Sequence, residues 1–273
     1  MSANLLLRAT CSLTLLGYGW KLSGDSPAWY PRGVAWENEF FLILGILVLV
    51  PLFLPEKKTL TRVLDTLLIP ASAFIIFFSY QKWILSGVGI GQFLEHAAQF
   101  GIPLLVWLTT FIGWNGAVKK LVMICASAAF IFHGLFAIGI SVPVEWLNHP
   151  TPDKFFFMTA QCLGLESNAT AGKVLLVAGL LDLVAAVAIW IRPARFPALI
   201  YMVIWGFLTA LARPVAYFDA SAVAESLFVW APEFFTRAPH WLLPLILLKE
   251  SGTFRNRINE PASVPELSRQ EQP

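Results

Sequence analysis

The chain has 273 residues, of which 57% are hydrophobic and 13% charged, with a formal net charge of +2. An ordinary soluble domain is about 45–50% apolar and about 25% charged, so this composition excludes a single large water-soluble core. The small net charge gives no reason to expect a nucleic-acid partner.

Eight apolar runs follow in chain order: 4–20, 39–54, 60–80, 94–114, 121–141, 173–191, 196–212 and 238–249. A hydrocarbon layer needs about 20 helical residues, so the runs predict an all-α polytopic transmembrane bundle of about eight helices. The first, within MSANLLLRATCSLTLLGYGW, lacks a compact basic leader and a small-residue cleavage site, and is expected to be a span rather than a removed signal. The last is short and is expected to begin earlier or to tilt.

Alternate connections are short and basic, with Lys57, Lys58 and Arg62, then Lys119 and Lys120, then Arg192 and Arg195, then Lys249, Arg255 and Arg257. Basic residues beside spans are retained in the cytoplasm. The pattern predicts an integral protein of a bacterial-type cytoplasmic (inner) membrane with both termini cytoplasmic and the lipid bilayer as first partner. Trp20, Trp29, Tyr30, Trp36, Tyr80, Trp83, Trp146, Tyr217, Trp230 and Trp241 gather at the other ends, as a headgroup belt should. Segments 152–165 and 220–235 are expected to lie on the membrane surface, and the polar tail from Asn259 is expected to be disordered.

The chain aligns with itself. FLEHAAQFGIPLLVWL at 93–108 and FFTRAPHWLLPLILL at 234–248 place Phe93 over Phe234, Ala97 over Ala238 and Pro103 over Pro244. Tyr18-Gly19 falls over His133-Gly134 after matched apolar runs. Both pairings are four helices apart, which preserves orientation and predicts a parallel duplication of a four-helix unit. The units would be 1–115 and 116–258, followed by the tail 259–273.

FIFHGLFAIG at 130–139 and AGKVLLVAGLLDLVAAVAIWIRP at 171–193 resemble the DoxX-like membrane family. Its four-helix unit has a His-Gly near the outer end of the first helix, here His133-Gly134, and a Gly-x-x-acid motif in the second, here Gly179 to Asp182. LLLRATCSLTLLGYGWKL at 5–22 resembles the first helix again, with Arg8 at its early Arg and Tyr18 where His is usual. The following LILGILVLVPLFLP departs from the pattern by carrying no acid. The resemblance implies a membrane address, quinone-linked or sulfur-redox chemistry, and a membrane or periplasmic redox protein as partner.

Asp182 lies about ten residues into its run, near the bilayer centre at 1.5 Å per residue. An acid there costs about 2.5–3.5 kcal/mol on insertion scales, so it is expected to face the bundle interior, either as a proton or ligand site or as a hydrogen bond between helices. His133 is its best candidate partner. Arg213 closes its helix in LTALARP, where it either snorkels to water or reaches a carboxylate. Glu95, His96 and His240 are placed at the outer ends, so no second histidine is expected as deep as His133, and haem is not expected. Arg8 and Asp65 match in depth and are expected to form a structural clamp.

Cys11, Cys125 and Cys162 share no dithiol or zinc spacing. No phosphate-binding glycine loop, HExxH, GxSxG or acidic metal cluster appears, and no metal site is expected. The reading is an outward-facing polar pocket formed by His133, Asp182, Arg213, Glu95, His96 and His240. Its ligand would be a quinone or another small redox-linked molecule, or the protein would serve as the membrane subunit of a redox complex. Two alternatives stay open: a small-molecule or ion transporter, and a structural or assembly subunit.

Overall fold

The computed structural model describes residues 2–23, 36–54, 57–86, 88–140 and 150–258, the side chains of 252–258 excepted. The readings made for Trp29, Tyr30, Trp146 and the tail from Asn259 lie outside the described residues.

Among the described residues the chain forms thirteen helices and no strand. They are α1 (Ala3–Ser23), α2 (Glu37–Leu47), α3 (Val50–Phe53), α4 (Lys58–Thr66), α5 (Leu68–Ser86), α6 (Gly91–Leu94), α7 (Ala97–Ile112), α8 (Gly116–Ile138), α9 (Asp153–Leu163), α10 (Asn168–Ala188), α11 (Arg192–Ala216), α12 (Val223–Thr236) and α13 (Ala238–Ile258). Every predicted apolar run lies on one or two of them. Among the described residues four stretches are long and apolar enough to cross a membrane: Lys58–Ser86, Gly116–Ile138, Asn168–Ala188 and Arg192–Ala216.

Local chemistry sets the boundaries. The Asn115 side chain caps α8 by accepting from the Ala117 and Val118 amides, at 2.9 and 3.1 Å, and α8 stops at Gly139, whose backbone is left-handed. Ser167 caps α10 through the Thr170 amide. The conformation of α10 is fixed locally, but its orientation is fixed by packing.

That orientation is visible in the residues α10 buries. Ala171, Leu175, Ala178, Gly179, Asp182, Ala185 and Ala186 recur at helical spacing along one face. The opposite face exposes Leu176, Val177, Leu180, Leu181, Val184 and Val187. Soluble monomers rarely expose an apolar band of this length, and lipid is the solvent it suits. The same holds for Ile200, Ile204, Phe207 and Leu208 on α11.

The helices pair in a regular pattern. α1 packs on α2 and α7, and α5 on α7; α8 packs on α10 and α13, and α11 on α13. Between these groups α1 meets α13 and α8 meets α7. One large apolar core, including Leu7, Leu15, Ile102, Ala126, Leu199 and Leu243, runs through both groups.

Candidate functional site

Asp182 lies on the buried face of α10, and its partner comes from α11. The Tyr201 hydroxyl donates to Asp182 Oδ1 at 2.8 Å and also lies 3.3 Å from the Ala178 carbonyl. One helical turn later, Trp205 stacks on Tyr201 with ring centroids 6.4 Å apart. The carboxylate is therefore held between two helices by a neutral donor.

α8 meets α10 on the other side, at glycine. A Cβ on Gly134 would stand 2.7 Å from the Gly179 carbonyl, and one on Gly179 would stand 2.6 Å from the Gly134 carbonyl. Only this pair of residues lets the backbones approach so closely. His-Gly and Gly-x-x-acid thus meet in space: the glycines make the contact and the polar residues flank it.

His133 does not bond Asp182. It precedes Gly134 by one residue, about 100° around the helix, and its ring turns to α9 and α13. There it packs on Phe155 at 5.9 Å and on His240 at 5.7 Å, nearly perpendicular to the latter. The expectation that no second histidine lies as deep as His133 is corrected by this contact. His240 opens α13 at a junction enclosed by the bundle, and it is buried.

A cleft of about 360 Å³ opens between α8, α9, α10 and α11. Its walls are apolar, with Phe155, Met158, Leu175, Leu208 and Val215 among them. Its polar groups are few: His133, Thr159, Cys162, Asp182, Trp205, Thr209 and Arg237. Segment 152–165, expected on the membrane surface, supplies α9 as one wall, with Phe155 and Met158 buried against Phe136 and Leu175.

Charged groups collect at the same end of the bundle. Glu233 on α12 accepts Lys21 at 2.6 Å on one oxygen and Arg213 on the other, with Arg237 at 3.9 Å. Lys82 lies 3.4 Å from Glu95 and 3.1 Å from His96 Nε2, and Gln92 donates to Glu95. The Tyr18 hydroxyl donates to Gln99 Oε1 at 2.6 Å. A polar cavity of about 20 Å³ lies among Tyr18, Lys21, Lys82, His96, Gln99 and Arg237, so Arg237 borders both spaces. On α9, burial first and the Arg213 charge second push the Lys154 ammonium down to about 8. Around the two buried carboxylates Glu95 and Glu233 the paired cations Lys21, Lys82 and Arg213 and the adjacent Arg237 outnumber the acids.

Of the residues singled out from sequence, His133 and Asp182 line one cleft and His240 stands beside His133. Arg213 instead pairs with Glu233, and Glu95 and His96 belong to the Lys82 cluster. Tyr201, Trp205 and Thr209 were not singled out, although their spacing of four and four places them on one helical face. Among the described residues no group of three His, Cys, Asp or Glu side chains could hold a metal ion.

The chain matches no family model, no curated protein and no solved structure. Its fold and surface define the class: among the described residues, an all-helical bundle with four candidate membrane-spanning helices.

Proposed function

We propose that this is an integral membrane protein, DoxX-like in kind, which takes a small amphipathic ligand into the cleft between α8, α9, α10 and α11. The cleft itself carries the reading. At about 360 Å³ it falls within the range of about 300–1,000 Å³ typical of small-molecule sites, and apolar walls around a few polar groups are their usual chemistry. A quinone is the redox-linked ligand implied by the resemblance, with its ring against Trp205 and its tail along the apolar wall. A membrane or periplasmic redox protein would be its partner.

The eight-helix arrangement belongs to the same proposal, with α1, α2, α5 and α7 as one unit and α8, α10, α11 and α13 as the second. The pairing of helices supports duplication, because exchanging the units maps α1 on α2 to α8 on α10, and α1 on α13 to α8 on α7. Aligned residues behave alike: Tyr18 meets Gln99 as His133 meets His240. The basic connections support a cytoplasmic position for both termini, with the cleft end facing outward.

The test uses purified protein in lipid nanodiscs titrated with a short-chain benzoquinone. The expected result is saturable quenching of the Trp205 contribution, isolated by comparison with Trp205→Phe. Asp182→Leu should weaken binding by about tenfold, the loss of one buried hydrogen-bonding group. Quenching that stays linear and is identical in Trp205→Phe would remove the quinone from the cleft.

A further inference from the structure

Arg237 stands at the junction of α12 and α13, with its side chain only 10% exposed. The nearest carboxylate is already engaged, since Lys21 and Arg213 each take one oxygen of Glu233. At 3.9 Å from Glu233 Oε2, Arg237 is beyond hydrogen-bond distance. Among the described residues its guanidinium makes no hydrogen bond. A guanidinium carries five donors in a planar fork, and burying one without an acceptor is costly. Arg237 also lines the apolar cleft, together with His133, whose ring makes no hydrogen bond among the described residues. His240, in contact with His133, has its buried Nδ1 without a partner.

We infer that the occupant of the cleft is a long-chain amphiphile with a carboxylate head, seated on the Arg237 guanidinium with its chain along the walls of α9 and α11. This rests on the reading that the cleft takes an amphiphile, and it sets a carboxylate in place of the quinone ring as the head group. A carboxylate matches the guanidinium fork with two parallel hydrogen bonds. The charge is single because, among the described residues, Arg237 is the only lysine or arginine lining the cleft, and a phosphate dianion would bring a second charge near Asp182.

The experiment compares dodecanoate, dodecanol, dodecyl phosphate and a short-chain benzoquinone at pH 8, on the full chain in nanodiscs, by the Trp205-dependent fluorescence change. Dodecanoate should bind about tenfold or more tightly than each of the others. Arg237→Gln should lower dodecanoate to the level of dodecanol while leaving dodecanol unchanged, which also shows that the variant is folded. Arg237→Lys should keep part of the preference. Equal binding of dodecanoate and dodecanol in the native chain, or a preference that survives Arg237→Gln, overturns the anion subsite and leaves the amphiphile cleft standing. Tighter binding of dodecyl phosphate overturns the single charge. If none of the four binds, the cleft reading fails and the inference with it.

Discussion

At the scale of single residues, two glycines decide whether the cleft exists. Gly134 and Gly179 bring α8 and α10 into backbone contact, and the same contact puts Asp182 3.1 Å from where a Cβ on Gly134 would lie. Asp182 needs that confinement, because an acid at the centre of a spanning helix, which α10 is a candidate to be, costs about 2.5–3.5 kcal/mol and the Tyr201 hydroxyl offsets part of it. In Gly179→Ala the new methyl would meet the Gly134 carbonyl, a backbone atom that cannot rotate away, so the helices must separate. Overpacking of this kind costs about 1–3 kcal/mol. Gly179→Ala and Gly134→Ala should each lower the thermal midpoint in detergent and weaken ligand binding in the cleft. Gly116→Ala, at a site where a Cβ meets nothing within 4 Å, is the control and should do neither. Equal midpoints in all three would show that α8 and α10 are not in backbone contact.

At the scale of elements, the end of the bundle opposite the cleft is held by one ion pair that binds four segments. Arg8 on α1 donates to Asp65 on α4 at 2.9 and 2.6 Å, to the Val48 carbonyl at the end of α2 at 3.0 Å, and to Thr110 on α7 at 3.0 Å. Both charges are buried. Removing one partner of such a pair costs about 3–5 kcal/mol, while replacing both by apolar groups is often neutral. Arg8→Met alone should therefore unfold the protein at a markedly lower temperature, and Arg8→Met with Asp65→Leu should recover most of the loss. A double variant no better than the single would mean that Val48 and Thr110, not the charge balance, carry the clamp.

This clamp was legible in the sequence because two lone charges at matching depth in apolar runs have few alternatives. The helical segments were legible for the same reason, since hydropathy marks them without reference to neighbours. The partner of Asp182 was not, because Tyr201 is one of many amphipathic aromatics and nothing local marks its face as inward. Nor was the placement of α9: packing on α8, α10 and α11 and lying on lipid bury the same apolar side chains. His240 was misplaced because its depth depends on how far α12 and α13 close over their junction, which is a property of the assembled bundle.

At the scale of the whole molecule, the two ends differ in the chemistry of their charges. At the cleft end Lys21, Lys82, Arg213 and Arg237 are drawn into the bundle around Glu95 and Glu233. At the other end Lys58, Lys119 and Arg192 belong to the first turns of α4, α8 and α11, outside the buried core. Short connections dense in basic residues are the ones retained in the cytoplasm. The proposed orientation follows, and two exposed positions test it. Ser221 lies between α11 and α12 and Lys120 near the start of α8, so Ser221→Cys and Lys120→Cys, made with Cys11, Cys125 and Cys162 replaced by Ala, report opposite ends. A membrane-impermeant maleimide applied to intact cells should label Ser221→Cys and leave Lys120→Cys unmodified until the membrane is opened. The reverse pattern would put the cleft mouth in the cytoplasm, where a periplasmic partner could not reach it and a ligand arriving from that side would have to replace the one proposed.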